Sequence, residues 1–224
     1  AGLDAKTIRQ ELHEFLADRK GNGSEGTRSN QTRTFVVNNL MKIWVSPDPE
    51  LIPFRDASLA FLRKNPSMAL AVHWGMVSVV YPFWFNVARQ IGRLLALQDQ
   101  LTQTQIINRL KEQYGDRQTV SRYGRFVIRS FIAWDVLKDS QSKGCYEKTV
   151  PVSIVEPDLA ILMLESALLA TPEAKGAMVL LLNNPAFFPF RLPMMTGDFV
   201  SLHNDRIEMV RYGLDDELLK LKGS

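Results

Sequence analysis

The chain has 224 residues, with 27 Lys and Arg against 24 Asp and Glu for a net charge of +3, and is 46% apolar and 23% charged. These proportions exclude collagen-like, coiled-coil and disordered architectures, and the length allows one large domain or two small ones to bury a core. One Cys and three His cannot supply a four-ligand structural zinc site or an internal disulfide, so the expectation is no metal, no cofactor and a reducing, cytoplasmic setting.

The first twenty residues mix both charge signs with apolar residues at helical spacing and contain no continuous apolar block, unlike a signal peptide. Ile8, Leu12, Phe15 and Leu16 fall on one stripe of a helix predicted over 4–20, with Arg9, Glu11, Glu14 and Asp18 outward. The following loop, Gly21 to Gly26, matches G-x-G-x-x-G. A dinucleotide turn must follow a strand, whereas a helix precedes this one, so it reads as a flexible linker. A second helix begins near Ser29 or Asn30, runs through Phe35, Val36, Leu40, Met41 and Trp44, and stops before Ser46-Pro47-Asp48-Pro49. Residues 54–64 form another, with Leu59, Phe61 and Leu62 inward.

No formal charge occurs from residue 65 to residue 88, which on length alone would cross a bilayer needing about 20 helical residues. Pro82 breaks that stretch near its middle, so two buried helices are expected, one ending near Tyr81 and one starting near Phe83, and no membrane span. Residues 1–100 thus read as a helical bundle with Trp74, Tyr81, Phe83, Trp84 and Phe85 in its core, each fully buried ring worth about 2–3 kcal/mol.

Residues 101–153 carry the functional expectation. Thr102 or Thr104 caps a helix over 103–114 with Ile106, Ile107 and Leu110 inward, and Gly115-Asp116 ends it. A second helix, predicted over 117–137, follows after the short link of a helix-turn-helix. On its wheel Arg122, Arg125 and Arg129 share a face beside Gln118, while Val120, Tyr123, Val127, Phe131 and Trp134 form the predicted inward stripe. Its start presents Gln118, Thr119 and Ser121, side chains that read base edges or hold phosphates when such a helix enters a major groove. The polar turn 139–144 between two extended runs reads as a wing. Residues 101–148 hold nine Lys and Arg against five Asp and Glu. This local excess would release counterions from a duplex.

In residues 154–224, a strongly apolar helix over 156–170 is followed by a helix predicted to start at Thr171-Pro172 and to stop at Asn183-Asn184-Pro185. The alternating runs 198–202 and 206–211 around His203-Asn204-Asp205 read as a hairpin. Helix, helix, hairpin therefore recurs as a second, degenerate winged module without a basic recognition helix. The run FFPFRLPMM, from Phe187 to Met195, is either core or interface. Pro157-Asp158 with Glu173-Ala174-Lys175 matches the bare PD-(D/E)xK nuclease pattern, but these acids are expected on helices rather than adjacent strands. His73 lacks a nearby Ser, Cys or carboxylate in sequence to form a nucleophilic relay. No catalytic constellation is expected.

The order of features resembles the BrxA family of BREX phage-exclusion systems. The resemblance lies in SNQTRTFVVNNL (29–40), the Tyr81-Pro82 step and the tail Trp134-Asp135-Val136-Leu137 that closes the helix-turn-helix, and it covers residues 27–150 in outline. It implies a small, non-enzymatic, largely helical DNA-binding component of a bacterial antiviral defence locus, acting beside other defence proteins. The expected fold is mainly α with small β hairpins, arranged as a helical bundle (1–100), a winged helix-turn-helix (101–153) and a C-terminal helical pair plus hairpin (154–224). Duplex DNA would be held by Arg122, Arg125 and Arg129 on phosphates or guanine edges and by Gln118 and Ser121 as polar contacts. Lys143 and Lys148 on the wing and Arg28 and Arg33 at the second helix start would grip the flanking backbone. The competing expectation is a protein-interaction scaffold built from winged helices, docking other defence proteins through residues 187–195.

Overall fold

Asp4 opens the first helix, α1 (Ala5–Phe15), its carboxylate accepting from the Lys6 and Thr7 N–H groups at 2.8 and 3.0 Å. This computed structural model describes residues 2–19, 26–212 and 216–223, so the predicted loop at 21–26 lies outside the described residues except for Gly26. The chain falls into two compact units, Ala1–Ala57 and Ser58–Ser224. The described residues are mainly helical with small sheets.

In the first unit Ser29 caps α2 (Asn30–Leu40), accepting from the Thr32 N–H at 3.2 Å, and the helix continues as a π-helical turn, Met41–Val45. Leu16, Val37 and Met41 form a small core, with Ile8, Leu12, Val36 and Val45 packed against it. Phe15, predicted on that stripe, is 58% exposed because α1 ends there and the turn carries Leu16 inward instead. Pro49 opens a 3-10 turn, Pro49–Leu51, that leads into α3 (Ile52–Lys64).

The second unit is organised on two apolar helices, α4 (Ala69–Val80) and α5 (Pro82–Leu95). Pro82 has no N–H to continue α4, and the chain bends by 118° between the segments Pro66–Val80 and Pro82–Leu95. Among the described residues no single helix is long and apolar enough to cross a membrane. Trp74, Trp84 and Phe85 are buried as expected, whereas Tyr81 and Phe83 are half-buried. The Trp74 ring is stacked on Phe131 at 5.1 Å and meets Trp84, Phe188 and Phe190 edge-on at 4.6, 5.6 and 5.4 Å. Its indole N–H donates to the Ala186 carbonyl at 3.1 Å. The run 187–195 is therefore largely spent on the core, with Phe187 and Phe190 at 2% and 7% exposure, while Met194 stands out at 89%.

After α5 the chain forms β1 (Gln100–Thr102), α6 (Gln103–Tyr114), α7 (Gln118–Ala133), β2 (Leu137–Asp139) and β3 (Cys145–Lys148). The strands make an antiparallel sheet in the order β1-β3-β2. β4 (Val152–Ser153) then pairs in parallel with β6 (Phe190–Arg191). The last segment runs α8 (Pro157–Leu169), β5 (Lys175–Ala177), α9 (Met178–Leu182), the 3-10 turn Pro185–Phe187, β6, α10 (Gly197–His203), β7 (Ile207–Tyr212) and β8 (Asp216–Leu221). Its outer sheet has the order β5-β8-β7. Each segment thus pairs its first strand with its last, β1 with β3 and β5 with β8, but in the second segment a 3-10 turn and β6 intervene between the two helices.

Three predicted elements differ. The second helix of the 101–153 segment ends at Ala133, because Asp135 takes φ +56° in a turn and Leu137 enters β2. No helix starts at Thr171-Pro172. Ala174 adopts φ +49° and residues 175–177 pair with β8, so Glu173 sits in a turn rather than in a helix first turn. Residues 198–202 are helical, since Thr196 caps α10 by accepting from the Phe199 N–H at 3.2 Å, and the hairpin is formed by β7 and β8.

His73 on α4 is half-buried, and its pKa is lowered from 6.5 by burial. The unfolded chain takes up this proton at a higher pH than the folded chain does. Stability is therefore expected to fall as pH drops from about 7 through 6. Chemical denaturation at several pH values checks this, and His73→Leu is expected to flatten the slope in that window.

Candidate nucleic-acid interface

The local sequence builds the site around one turn. Thr102 and Gln105 make a capping box at the start of α6, with Oγ1 accepting from the Gln105 N–H at 3.1 Å and Gln105 Oε1 accepting from the Thr102 N–H at 2.8 Å. At its other end Gly115 takes φ +83°, a conformation that favours glycine, and the chain reverses into α7. The end of α6 is tied to α5. Tyr114 accepts from Asn86 Nδ2 at 2.5 Å and packs its ring on Phe83 at 5.3 Å, and burial raises its pKa.

α7 begins differently. Its N-cap is Arg117 and no side chain bonds to its first turn, so the positive end of the helix dipole and its leading N–H groups remain open to an anion. The inward face is Val120, Gly124, Ile128 and Phe131, all buried. Phe131 sits between Trp74 and Trp84 at 5.1 and 5.0 Å. Tyr123, predicted on the inward stripe, is 41% exposed. The seat of the helix is the i, i+4, i+8 row Val120-Gly124-Ile128, with Gly124 admitting the Ile107 and Leu110 methyl groups close to its backbone.

The outward face gathers the predicted contacts. Gln118, Thr119, Ser121, Arg122 and Arg125 line one open depression of about 600 Å³, into which Lys111 and Asp116 also open, paired at 2.8 Å. Arg122 and Arg125 are exposed, and the Arg122 guanidinium lies 5.2 Å from the Tyr123 ring. Arg129 shares the face but pairs with Asp139 of β2 at 3.3 Å, both side chains more than half exposed. An exposed pair of that kind is worth at most about 1 kcal/mol, so it competes weakly with a phosphate. Lys148 on β3 lies 3.9 Å from Asp99, and Lys138 pairs with Glu147 at 3.1 Å. Lys143 is exposed in the turn between β2 and β3. Among the described residues Arg117, Arg122, Arg125 and Lys143 have no acidic partner within 4.0 Å.

Arg28 and Arg33 belong to the first unit. Both are half-buried, Arg28 donating to the Arg19 carbonyl at 3.3 Å, and the Arg33 Nε is buried without an acceptor. They are less free than the solvated cations expected at that helix start. Among the described residues no group of three or more His, Cys, Asp and Glu could hold a metal ion. Asp158 is exposed in the first turn of α8, and Lys175 lies in β5. Sequence reasoning misses Phe126, which is 57% exposed beside the cationic face and meets the Tyr123 ring edge-on at 6.0 Å.

Comparison with protein families, with characterised proteins and with solved structures finds no match.

Proposed function

We propose that this protein binds duplex DNA through a winged helix-turn-helix, with α7 as recognition helix and the β2-β3 hairpin as wing. One observation carries the reading: Arg122 and Arg125 stand exposed and free of acidic partners beside Gln118, Thr119 and Ser121 at the uncapped start of α7. A helix of this kind fits a major groove about 12 Å wide, its guanidinium groups reaching phosphates or the O6 and N7 of guanine and its amide and hydroxyl groups reaching base edges. Lys143 reaches the flanking backbone from the wing, and Arg129 joins when a phosphate displaces Asp139. We place the activity in an accessory, non-enzymatic role in bacterial phage defence, supported by the resemblance to the BrxA family on residues 27–150.

The test is a titration of labelled duplex at two salt concentrations with wild type and with Arg122→Ala/Arg125→Ala. The variant is expected to bind at least about tenfold more weakly, with a salt slope shallower by about 0.9 for each phosphate no longer neutralised. Unchanged affinity together with an unchanged slope would overturn the assignment.

A second reading draws on the C-terminal segment. In chain order α9 and α10 correspond to α6 and α7, although a 3-10 turn and β6 stand between them; α10 carries no Lys or Arg, and Val179, Leu180 and Leu202 are 69, 70 and 79% exposed. This second, degenerate winged module is suited to a protein partner rather than to a polyanion.

A further inference from the structure

The exposed ring of Phe126 has no role in the core. With about 100° per residue, Arg122 and Phe126 lie within about 30° of the direction opposite the buried row Val120, Gly124, Ile128 and Phe131. They therefore form the outermost ridge of α7. Phe126 is 57% exposed, and its ring neighbour among the described residues is Tyr123, itself 41% exposed. The Tyr123 ring in turn sits against the Arg122 guanidinium. A phenylalanine at the crest of a solvated helix, beside Arg122 and Arg125 without acidic partners, suits an occupant that is anionic at its edges and apolar where the ring points. The major groove meets both conditions, for its walls are phosphates and the apolar group on its floor is the 5-methyl of thymine.

We propose that Phe126, buttressed by Tyr123, packs on pyrimidine 5-methyl groups in the major groove and makes the protein discriminate thymine there. This rests on the duplex-binding reading above. The shared chemistry is a methyl on C5, carried by thymine or by 5-methylcytosine. Arg122 and Arg125, which lie on the helical wheel on the side of Phe126 away from Tyr123, hold the backbone or guanine edges, so affinity comes from charge and base preference from the ring.

The experiment compares three random-sequence duplex pools of one length, made with thymidine, with deoxyuridine in its place, and with deoxyuridine plus 5-methyldeoxycytidine. Each is titrated with wild type and with Phe126→Ala, whose exposed position leaves the fold intact. Wild type is expected to bind the deoxyuridine pool about fourfold more weakly than the thymidine pool, the effect of removing one methyl group from beneath the ring, and Phe126→Ala to bind the two equally. Recovery in the third pool supports a methyl site that also accepts methylcytosine, and no recovery supports one confined to thymine. Equal wild-type binding to the thymidine and deoxyuridine pools overturns the proposal while leaving duplex binding standing. Binding to none of the pools overturns it together with the duplex reading.

Discussion

Gly92→Ala is expected to destabilise the protein by about 3 kcal/mol or more, lowering the thermal midpoint by roughly 6 °C or more for a chain of this size. Helix propensity alone gives the opposite sign, since Ala stabilises a helix interior by about 1 kcal/mol over Gly. Packing decides the matter. Gly92 lies on α5 where the segment Pro185–Phe187 crosses, and a Cβ there would overlap the Pro185 carbonyl, with the carbonyl carbon at 2.6 Å and its oxygen nearer still. Both obstacles are backbone, and neither is free to step aside. The crossing segment is fastened by the Trp74 indole on the Ala186 carbonyl and by Phe188 and Phe190 against the Trp74 ring. Gly124→Ala supplies the contrast. Its new methyl would meet the Ile107 and Leu110 Cδ1 atoms at 2.8 and 2.9 Å, ends of flexible side chains that rotate away, so its cost is expected to be well below that of Gly92→Ala. Thermal unfolding of both variants checks the ranking, and a Gly92→Ala protein as stable as wild type would refute the close approach.

Which parts of this are legible in the sequence follows from the range of the interactions. Asp4, Ser29, Thr102 with Gln105, and Pro82 act on their own neighbours, and each marks a boundary that the structure keeps. The apolar row on α7 is misread from the sequence because aromatic Tyr123 weighs as core while Gly124 weighs as nothing. A glycine in register with Val120 and Ile128 is the available signal that another helix approaches there. Residues 198–202, Asp-Phe-Val-Ser-Leu, are too few for a 3.6-residue period to stand out, and the adjacent Phe199 and Val200 together with the Thr196 cap are what distinguish helix from strand. Turns held by positive φ at Asp135 and Ala174 carry no glycine to announce them.

The candidate site divides the same way. That Gln118, Ser121, Arg122 and Arg125 share a solvated face follows from helical spacing, but which cations are free depends on how the strand after α7 folds back on it. Asp139 takes a share of Arg129 only because β2 returns beside α7. A wheel drawn on the sequence therefore overstates the cationic face by one arginine and omits the phenylalanine beside it.

Another long-range feature is the one whose loss is expected to cost most after Gly92. Glu165 is the lone acid in the apolar middle of α8, is 1% exposed, and accepts from Arg206 Nε and Nη2 at 2.6 and 2.8 Å and from Asn204 Nδ2 at 2.7 Å. Nothing in LAILMLESALL announces this, because the partners lie about forty residues on, where α10 turns into β7. A buried carboxylate survives only when paired and fully hydrogen-bonded, and the bidentate fork supplies that. The same bonds raise the Arg206 pKa above its ordinary value. Glu165→Ala removes the acceptor from Arg206 and Asn204 together. Breaking a buried pair costs about 3–5 kcal/mol, and since the Arg206 side chain keeps 37% exposure it can recover some hydration, so the expected loss lies at about 3 kcal/mol. Glu165→Leu combined with Arg206→Met is expected to regain part of that, because it removes the stranded guanidinium, the larger penalty, while Asn204 Nδ2 still lacks its acceptor. Urea denaturation of the single and double variants measures both. A single variant within about 0.5 kcal/mol of wild type, or a double variant worse than the single, would show that this fork does not hold α10 and β7 to α8.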